Sequence, residues 1–268
     1  MKQLFHIDNP GETGLPQTLS LRIGEKYICY AITTKAGDQL HGLTYCTSAE
    51  WTETELEDFF TAYPALNEPF YQVLITYDSP FSSFVPFQDF KHEEAGAILS
   101  SLFGKATASL SVAEAVPEWQ VFSVFAIPKE INDWVTRKFP SARCWHQYSV
   151  GARYLEKSHN EGHLLIDIRK EDFTLLAVHG GNLLLAQTYA YSTPEDVLYY
   201  LLRAANEFSL AKEECKVSLS GLVDEQSALY KELYQYFVHL EFRDASWDSG
   251  EYPRHFFTSL NDLARCVS

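Results

Sequence analysis

The sequence lacks any apolar run approaching the roughly 20 residues that a membrane-spanning helix needs. Its N-terminus carries Lys2 but no apolar segment after it, so a secretory signal peptide is not indicated either. With 46% hydrophobic and 15% aromatic residues, the 268-residue chain still has enough apolar side chains for one large core or two ordinary ones. We therefore expect a folded cytoplasmic protein that is not transmembrane.

Basic residues are scarce. Lysines and arginines number 21 against 36 aspartates and glutamates, which gives a formal net charge of -15. Nucleic acids and anionic membranes are bound through basic faces that neutralise phosphates. The composition therefore excludes both classes of partner from our expectations.

Cysteines are few, odd in number and far apart. The five lie at positions 29, 46, 144, 215 and 266. Most of them stand in apolar runs, which favours reduced thiols in a core over a disulfide framework.

The most regular stretch of the chain is His163 to Tyr191. It holds three strand-length apolar runs, separated by the charged corner 169–172 and by Gly180-Gly181-Asn182, whose glycines supply the positive φ angles of a tight hairpin. Ser192-Thr193-Pro194-Glu195 then combines a hydroxyl cap, a proline at a first helical position and an acid in the first turn. The pattern predicts three antiparallel strands, a helix ending near Phe208, and a fourth strand at 215–219.

The same order of elements occurs earlier in the chain. Strands are predicted at 19–23, 27–33 and 39–46, followed by a helix capped by Thr52 and a fourth strand at 70–77. Aligning Arg22-Ile23-Gly24 with Asp167-Ile168-Arg169 brings the two sets into register. Identity between the copies is low, so the predicted repeat depends on element order, and chance agreement is the alternative.

Further segments complete the two copies. Residues 1–17 read as an irregular lead-in, Gln88 to Phe103 as a helix and Lys105 to Glu118 as a loop. The remaining elements are strands at 120–127, 142–146 and 237–242, and helices at 128–139, 147–156, 226–236 and 253–266. We predict a first lobe over 18–158, with an inserted segment at about 88–118, and a second lobe over 159–268.

Two consecutive units of three antiparallel strands, a helix and a parallel strand resemble the duplicated ribonuclease H-like lobes of the actin-like ATPases. Within that superfamily the chain is similar to the type IV pilus-assembly ATPase-like proteins and the bacterial cell-division actin homologue. LLIDIRKEDFTLLAVHGGNLLLAQ resembles the start of their second lobe, and FSVFAIPKEINDWVTRKFPSAR resembles the link between lobes. The resemblance covers about residues 18–266 and implies an α/β fold of two lobes, each with a mixed sheet flanked by helices.

The resemblance also implies where a nucleotide would bind. In working members the first strand of each lobe ends with an Asp that holds the waters of the nucleotide's magnesium, and a Gly follows so that backbone N–H groups approach the phosphates. Here Arg22 stands at the Asp position of the first lobe, and Gly24 is kept. The second lobe keeps Asp167 but has Arg169 at the Gly position, and Gly221 alone is left of a Gly-Gly pair.

These five residues are interpreted as vestigial phosphate corners. A bulky charged corner keeps a phosphate away from the main chain, and a single carboxylate gives magnesium half of its usual support. We therefore expect no cofactor, no metal and no ATP hydrolysis, because a fold does not carry a function without its site. Weak anion binding through the arginine side chains is left open.

Two other patterns favour loops over metal sites. His159 and His163 lie four apart, as zinc ligands on a helix do, but Asn160 and Gly162 break a helix there. A group of acids near the C-terminus lacks the alternating spacing of a calcium loop: Asp244, Asp248 and Glu251.

No catalytic residue is expected. Cys144 and His146 share one face of a predicted strand, as a thiol–imidazole pair would, but core packing is the better explanation. The segment 218–221, Ser-Leu-Ser-Gly, lacks the first glycine of a nucleophile elbow and has no assignable base.

Four phenylalanines lie between two prolines after the fourth strand: Phe81, Phe84, Phe87 and Phe90. A loop that packs its rings onto the sheet explains them. The alternative is a partly exposed aromatic surface for a partner, where an interface hot spot would be expected.

Two functions fit a complete scaffold with incomplete phosphate corners. The first is a non-catalytic actin-like module that binds or scaffolds an unknown protein partner, because in the resembled proteins the lobe or its cleft receives a short partner segment. The alternative is a nucleotide-binding, ATP-dependent switch with weak or no hydrolysis, using Asp167 with Arg22 and Arg169. Assembly into a homo-oligomer is a third expectation.

Overall fold

The structure is a computed structural model that describes residues 1–9, 14–104, 109–155 and 161–266. In these residues the strands are β1 (Lys2–Asp8), β2 (Gln17–Gly24), β3 (Tyr27–Thr34), β4 (Leu40–Thr47), β5 (Gln72–Asp78), β6 (Ser82–Pro86), β7 (Ser109–Val116), β8 (Val121–Pro128), β9 (Arg143–His146), β10 (His163–Ile168), β11 (Asp172–His179), β12 (Asn182–Ala190), β13 (Lys216–Gly221) and β14 (His239–Phe242). The helices are α1 (Glu53–Ala62), α2 (Ala95–Phe103), α3 (Lys129–Lys138), α4 (Gln147–Arg153), α5 (Pro194–Glu207), α6 (Ala228–Tyr234) and α7 (Thr258–Arg265).

The strands form three sheets. The first sheet has the order β1-β4-β3-β2-β5-β9, the second β12-β11-β10-β13-β14, and the third β6-β8-β7. In the first sheet β2, β3 and β4 pair antiparallel, and β5 is parallel to β2. In the second sheet β10, β11 and β12 pair antiparallel, and β13 is parallel to β10. The predicted repeat is therefore present in the topology, and β3 and β11 have the same length of eight residues.

Local sequence explains why helices follow the meanders. Thr52 and Thr193 each accept a hydrogen bond from a backbone N–H of the first turn, and their own backbone N–H groups donate to the carboxylates of Glu55 and Asp196, so both helices begin with a capping box. The apolar faces of α1 and α5 then pack on the first and second sheets. The two predicted helix starts at Thr52 and Pro194 are confirmed.

Helices α4 and α7 lie between the two larger sheets. In α7, which contacts β2, β3, β5 and β13, every residue from Thr258 to Ala264 is buried. Six consecutive residues of α4, Gln147 to Ala152, are buried as well. A helix buried on all sides indicates that it is enclosed by protein, and these two helices join the halves of the molecule.

Three predictions for the first half are wrong. Residues 1–17 are not an irregular lead-in throughout, because β1 pairs antiparallel with β4. The predicted loop at 105–118 contains β7, which pairs with the strongly apolar β8 along its whole length. The helix predicted from Gln88 begins at Ala95, since Phe87–Asp89 and His92–Glu94 form short 3-10 turns instead.

The third sheet takes in strands on both sides of the insertion predicted at about 88–118, since it includes β6 and β8. The predicted lobe boundary at 158/159 lies outside the described residues, so the division into lobes stays a prediction. Among the residues that the structure describes, no helix is long and apolar enough to cross a membrane.

Candidate functional site

The ends of the two central strands meet each other between the sheets. Arg22 lies two residues before the end of β2 and Asp167 lies one residue before the end of β10, and the two occupy corresponding positions of the repeat. The Arg22 Nη2 and Asp167 Oδ2 atoms are 2.7 Å apart, and the two side chains are only 3% and 13% exposed. Arg22 of one copy therefore neutralises the carboxylate at the corresponding position of the other copy.

Asp78, which ends β5, is the second acid of this site. Its Oδ2 lies 2.6 Å from Arg22 Nη2 and 3.2 Å from Arg169 Nη1, and it accepts a hydrogen bond from the Tyr27 hydroxyl. Burial works against ionisation of Asp78, but Arg169, Arg22 and Tyr27 together outweigh it and hold the pKa of this carboxyl well below its usual range. Asp78 is therefore a buried, ionised carboxylate whose charge is balanced by groups of the protein itself.

Arg169 belongs to the charged corner that follows β10, and its side chain turns into the protein. It is buried, donates to Thr174 Oγ1 at 3.0 Å, and pairs with Asp172 through its Nε and with Asp167 at 3.5 Å through its Nη1. Burial alone would lower the pKa of Arg169, but the surrounding carboxylates raise it above its ordinary value, so the charge is retained. We call Arg22, Asp78, Asp167 and Arg169 the inter-sheet charge cluster.

Free volume is very small between Arg22 and Asp167 of the inter-sheet charge cluster. The cavity beside Arg22, Asp167 and Gly221 measures about 10 Å³, which is the room for one water molecule. Arg22 also donates to the Ser259 hydroxyl of α7, so a third element closes the site. A phosphate group could enter the space between Arg22 and Asp167 only if this ion pair separated.

The two glycines of the predicted corners have packing roles. A Cβ on Gly24 would lie 2.3 Å from the ring of Tyr27, whose hydroxyl holds Asp78. Gly221 has φ +82°, and a Cβ there would lie 2.1 Å from the backbone oxygen of Ile168. Both positions therefore require glycine for contacts inside the protein, whether or not any phosphate approaches.

A large open cleft of about 810 Å³ lies next to the charge cluster, at the ends of β2 and β5. We call it the β2–β5 cleft. Its floor is apolar and includes Ile23, Trp51, Tyr77, Ile127 and Ile131, and its walls come from the start of α1 and the junction of β8 with α3. Clefts at the carboxyl ends of parallel strands are common ligand sites in α/β folds.

The rim of the β2–β5 cleft is acidic. Six acids and three bases line it, and each base already has a carboxylate partner: Lys26 pairs with Glu171 at 2.7 Å, Lys129 with Asp133, and Arg137 with Glu53. Glu25, Glu50 and Glu130 have no basic partner among the described residues. Burial, with Asp172 and Asp78 nearby, raises the pKa of Glu25 because these effects outweigh the opposing charge of Lys26.

The four phenylalanines do not form one surface. Phe81 is 40% exposed and lines the β2–β5 cleft. Phe84 packs beside Tyr148, and the rings of Phe87 and Phe90 lie 4.8 and 4.5 Å from that of Phe122. Only Phe81 is therefore placed at the cleft.

His163 of the zinc-like pattern and Ser218 of the segment 218–221 lie next to each other. His163 Nε2 lies 2.9 Å from Ser218 Oγ, a pairing that the sequence did not reveal, but both residues are buried and Ser218 donates on to Glu241. Within the described residues, no group of three or more His, Cys, Asp or Glu could hold a metal ion. His159 and Asn160 lie outside those residues.

His146 and Cys144 have separate environments. Burial lowers the pKa of His146 to about 4, so its imidazole is neutral, and its Nδ1 accepts from the Tyr148 N–H that begins α4. Cys144 is exposed. His146 is thus a buried helix cap, which agrees with the predicted core packing, whereas the core position predicted for Cys144 is wrong.

Two residues of the site, Asp78 and Tyr27, are not predicted from the sequence. Asp78 directly follows the predicted strand at 70–77, and the end of a parallel strand beside β2 is where polar side chains collect, so its position was available as a signal. Tyr27 gave no signal, because its role depends on the space that Gly24 leaves.

Comparison with known families adds the wider context. A family model described as "Protein of unknown function (DUF3822)" matches residues 12–240. The chain belongs to the DUF3822 family. No curated protein matches it by sequence.

Solved structures show the fold of this DUF3822 chain. A Bacteroides thetaiotaomicron VPI-5482 protein with actin-like ATPase fold and unknown function has a TM-score of 0.81 at 19% identity, covering 96% of this chain and 100% of that one. A PilM–PilN type IV pilus biogenesis complex gives 0.57 at 12% identity, covering 92% and 97%. The ethanolamine utilization protein EutJ from Carboxydothermus hydrogenoformans gives 0.54 at 9%, covering 97% and 92%. The chain therefore has the two-lobed actin-like ATPase fold, as predicted.

Proposed function

We propose that this protein is a non-catalytic, actin-like protein-binding module that holds a segment of another protein in the β2–β5 cleft. The observation that carries the proposal is the Arg22–Asp167 ion pair. It joins the two corners at which the resemblance places the magnesium and phosphates of a nucleotide. A binding site for phosphate would need open backbone N–H groups at these corners, and buried side chains occupy the space instead.

The charges of the open cleft also favour a protein over a nucleotide. Three carboxylates without basic partners would repel a triphosphate, whereas Lys or Arg side chains of a bound segment would pair with them. The apolar floor would accept the segment's aliphatic or aromatic side chains. A type IV pilus protein of the same fold has been solved in a complex, PilM with PilN, which supports protein binding as a use of this scaffold.

Nucleotide binding is tested by thermal denaturation with magnesium and ATP, ADP or GTP. We expect no rise in melting temperature, because the inter-sheet charge cluster excludes the phosphates. A ligand at about one hundred times its Kd would stabilise the folded state by about 2.7 kcal/mol, which is a shift of several degrees. A rise that is present in the wild type and abolished in Asp167→Ala would contradict the proposal and support an ATP-dependent switch.

Protein binding is tested with two matched phenylalanines. Phe81 in the β2–β5 cleft and Phe87 outside it are 40% and 38% exposed. A photoreactive phenylalanine at each position, with cross-linking in the native host, should capture one defined protein segment from Phe81 and not from Phe87. Glu25→Lys should then weaken binding of that segment about tenfold or more, since it places a like charge against the segment's cation.

The control for the cleft experiment is Glu232→Lys, a charge reversal of equal size on α6 and away from the cleft. This variant should bind the captured segment as the wild type does. Equal cross-linking from Phe81 and Phe87, or equal weakening by both charge reversals, would sink the assignment of the cleft as the binding site.

A further inference from the structure

The free edges of the three sheets differ in how they are protected against pairing. Exposed edge strands are usually made short, charged or interrupted by proline. Five of the six edges that the described residues form follow this rule: β1 has Lys2 and Asp8, β7 has Glu114, β6 has five residues and ends at Pro86, and β9 and β14 have four residues each.

The remaining edge, β12, has none of these features. It is nine residues long, pairs with β11 on one side, and has no second hydrogen-bonded strand in the described structure, although β6 lies near it. The chain from 180 to 194 contains no Asp, Glu, Lys or Arg, although 21% of the whole sequence is charged. An uncharged strand of this length is a site for pairing with another strand.

Both faces of β12 are covered, so the edge itself is the open part. On one face Tyr148 of α4 donates to Thr188 Oγ1 at 2.8 Å, and Phe84 packs against this side. On the other face the ring of Tyr189 stacks on Tyr200 of α5 at 4.1 Å. These contacts hold the strand in place, so pairing would need no rearrangement of the sheet.

We infer that β12 pairs with β12 of a second copy, antiparallel and about a two-fold axis, so that the second sheets of two molecules become continuous. The net charge of -15 decides between occupants. A different protein selected by charge would be basic and would use the acidic surface, whereas a second copy carries the same charge and can approach only where charge is absent. A two-fold contact uses one surface twice, and β12 can pair with itself.

Gln187, next to the middle of β12, provides the test. A residue near a two-fold axis lies close to the same residue of the second molecule. Gln187→Lys and Gln187→Glu therefore each place two like charges close together. In sedimentation velocity over a wide concentration range, the wild type should be a dimer. Each variant alone should show a dissociation constant raised by about tenfold or more, and an equimolar mixture of the two should restore the dimer.

The matched control is Val238→Lys, which adds a charge at a 66% exposed apolar residue beside β14 and should leave the dimer unchanged. Circular dichroism and melting temperature of each variant show whether it is folded. A wild type that is monomeric at all concentrations overturns the inference. So does a dimer that survives both Gln187 variants, or a mixture of folded variants that stays monomeric. The inference is independent of the proposed function of the cleft.

Discussion

Replacing Arg22 by methionine should lower the free energy of unfolding by about 3–5 kcal/mol, because it leaves two buried carboxylates with a single arginine between them. Arg22 is only 3% exposed and pairs with both Asp78 and Asp167. Little water can replace the Arg22 side chain beside Asp167, since the cavity next to these two residues measures about 10 Å³. Urea denaturation at neutral pH measures the loss.

The matched control removes the opposing charge as well. In Arg22→Met with Asp167→Leu, the remaining pair of Arg169 and Asp78 is balanced, and apolar side chains of similar volume fill the site. Buried ion pairs replaced in this way are often neutral or stabilising, so most of the lost stability should return. If the double variant is as unstable as the sum of two damaging single variants, the two residues are not energetically coupled and the cluster is not a unit.

Acid sensitivity gives a second readout for the same variant. The pKa of Asp78 is depressed in the folded protein, so its contribution to stability is present above its unfolded pKa of about 4 and is lost as pH falls below that value. The wild type should therefore lose stability as the pH falls below about 4. Arg22→Met should lose less, because removing Arg22 takes away part of the depression. An unchanged pH dependence would contradict the charge pairing.

The order of strands and helices could be predicted because its signals are local. Capping residues at Thr52 and Thr193 and the Gly-Gly corner at 180–181 fix where elements begin and turn, independently of distant contacts. Strand β7 was missed because Ala and Ser have weak strand preference, and it forms only because apolar β8 pairs with it. Its structure depends on a neighbour that local reasoning cannot place.

The candidate site was predicted as residues but not as an arrangement. The sequence marks Arg22 and Asp167 as corresponding positions, yet only the packing of one copy against the other shows that they pair. The same holds for Lys26 and Glu171, which also occupy corresponding positions and pair at 2.7 Å. Two copies related by approximate symmetry bring equivalent residues together, so opposite charges at equivalent positions are a signal for such pairs in other duplicated folds.

Replacing Gly221 by alanine should cost more than about 4 kcal/mol, at the extreme of single substitutions. Its positive φ of +82° is strained for any other residue, and the added Cβ would lie 2.1 Å from the Ile168 oxygen and 2.9 Å from Asp167 Oδ1. Backbone on the neighbouring strand must then move, since β13 and β10 are paired through these residues, and the movement displaces Asp167 from Arg22.

Gly180→Ala separates the two causes of this loss. Gly180 also has a positive φ, +54°, but nothing lies within 4 Å of its added Cβ, so only the backbone strain of roughly 1–2 kcal/mol is expected. Thermal and urea denaturation of the two variants compare strain alone with strain plus contact. Equal losses would mean that Gly221 is kept for its φ angle and not for the approach of β13 to the Asp167 corner. A much larger loss at Gly221 would show that the glycine is required by the close approach of β13 to the Asp167 corner.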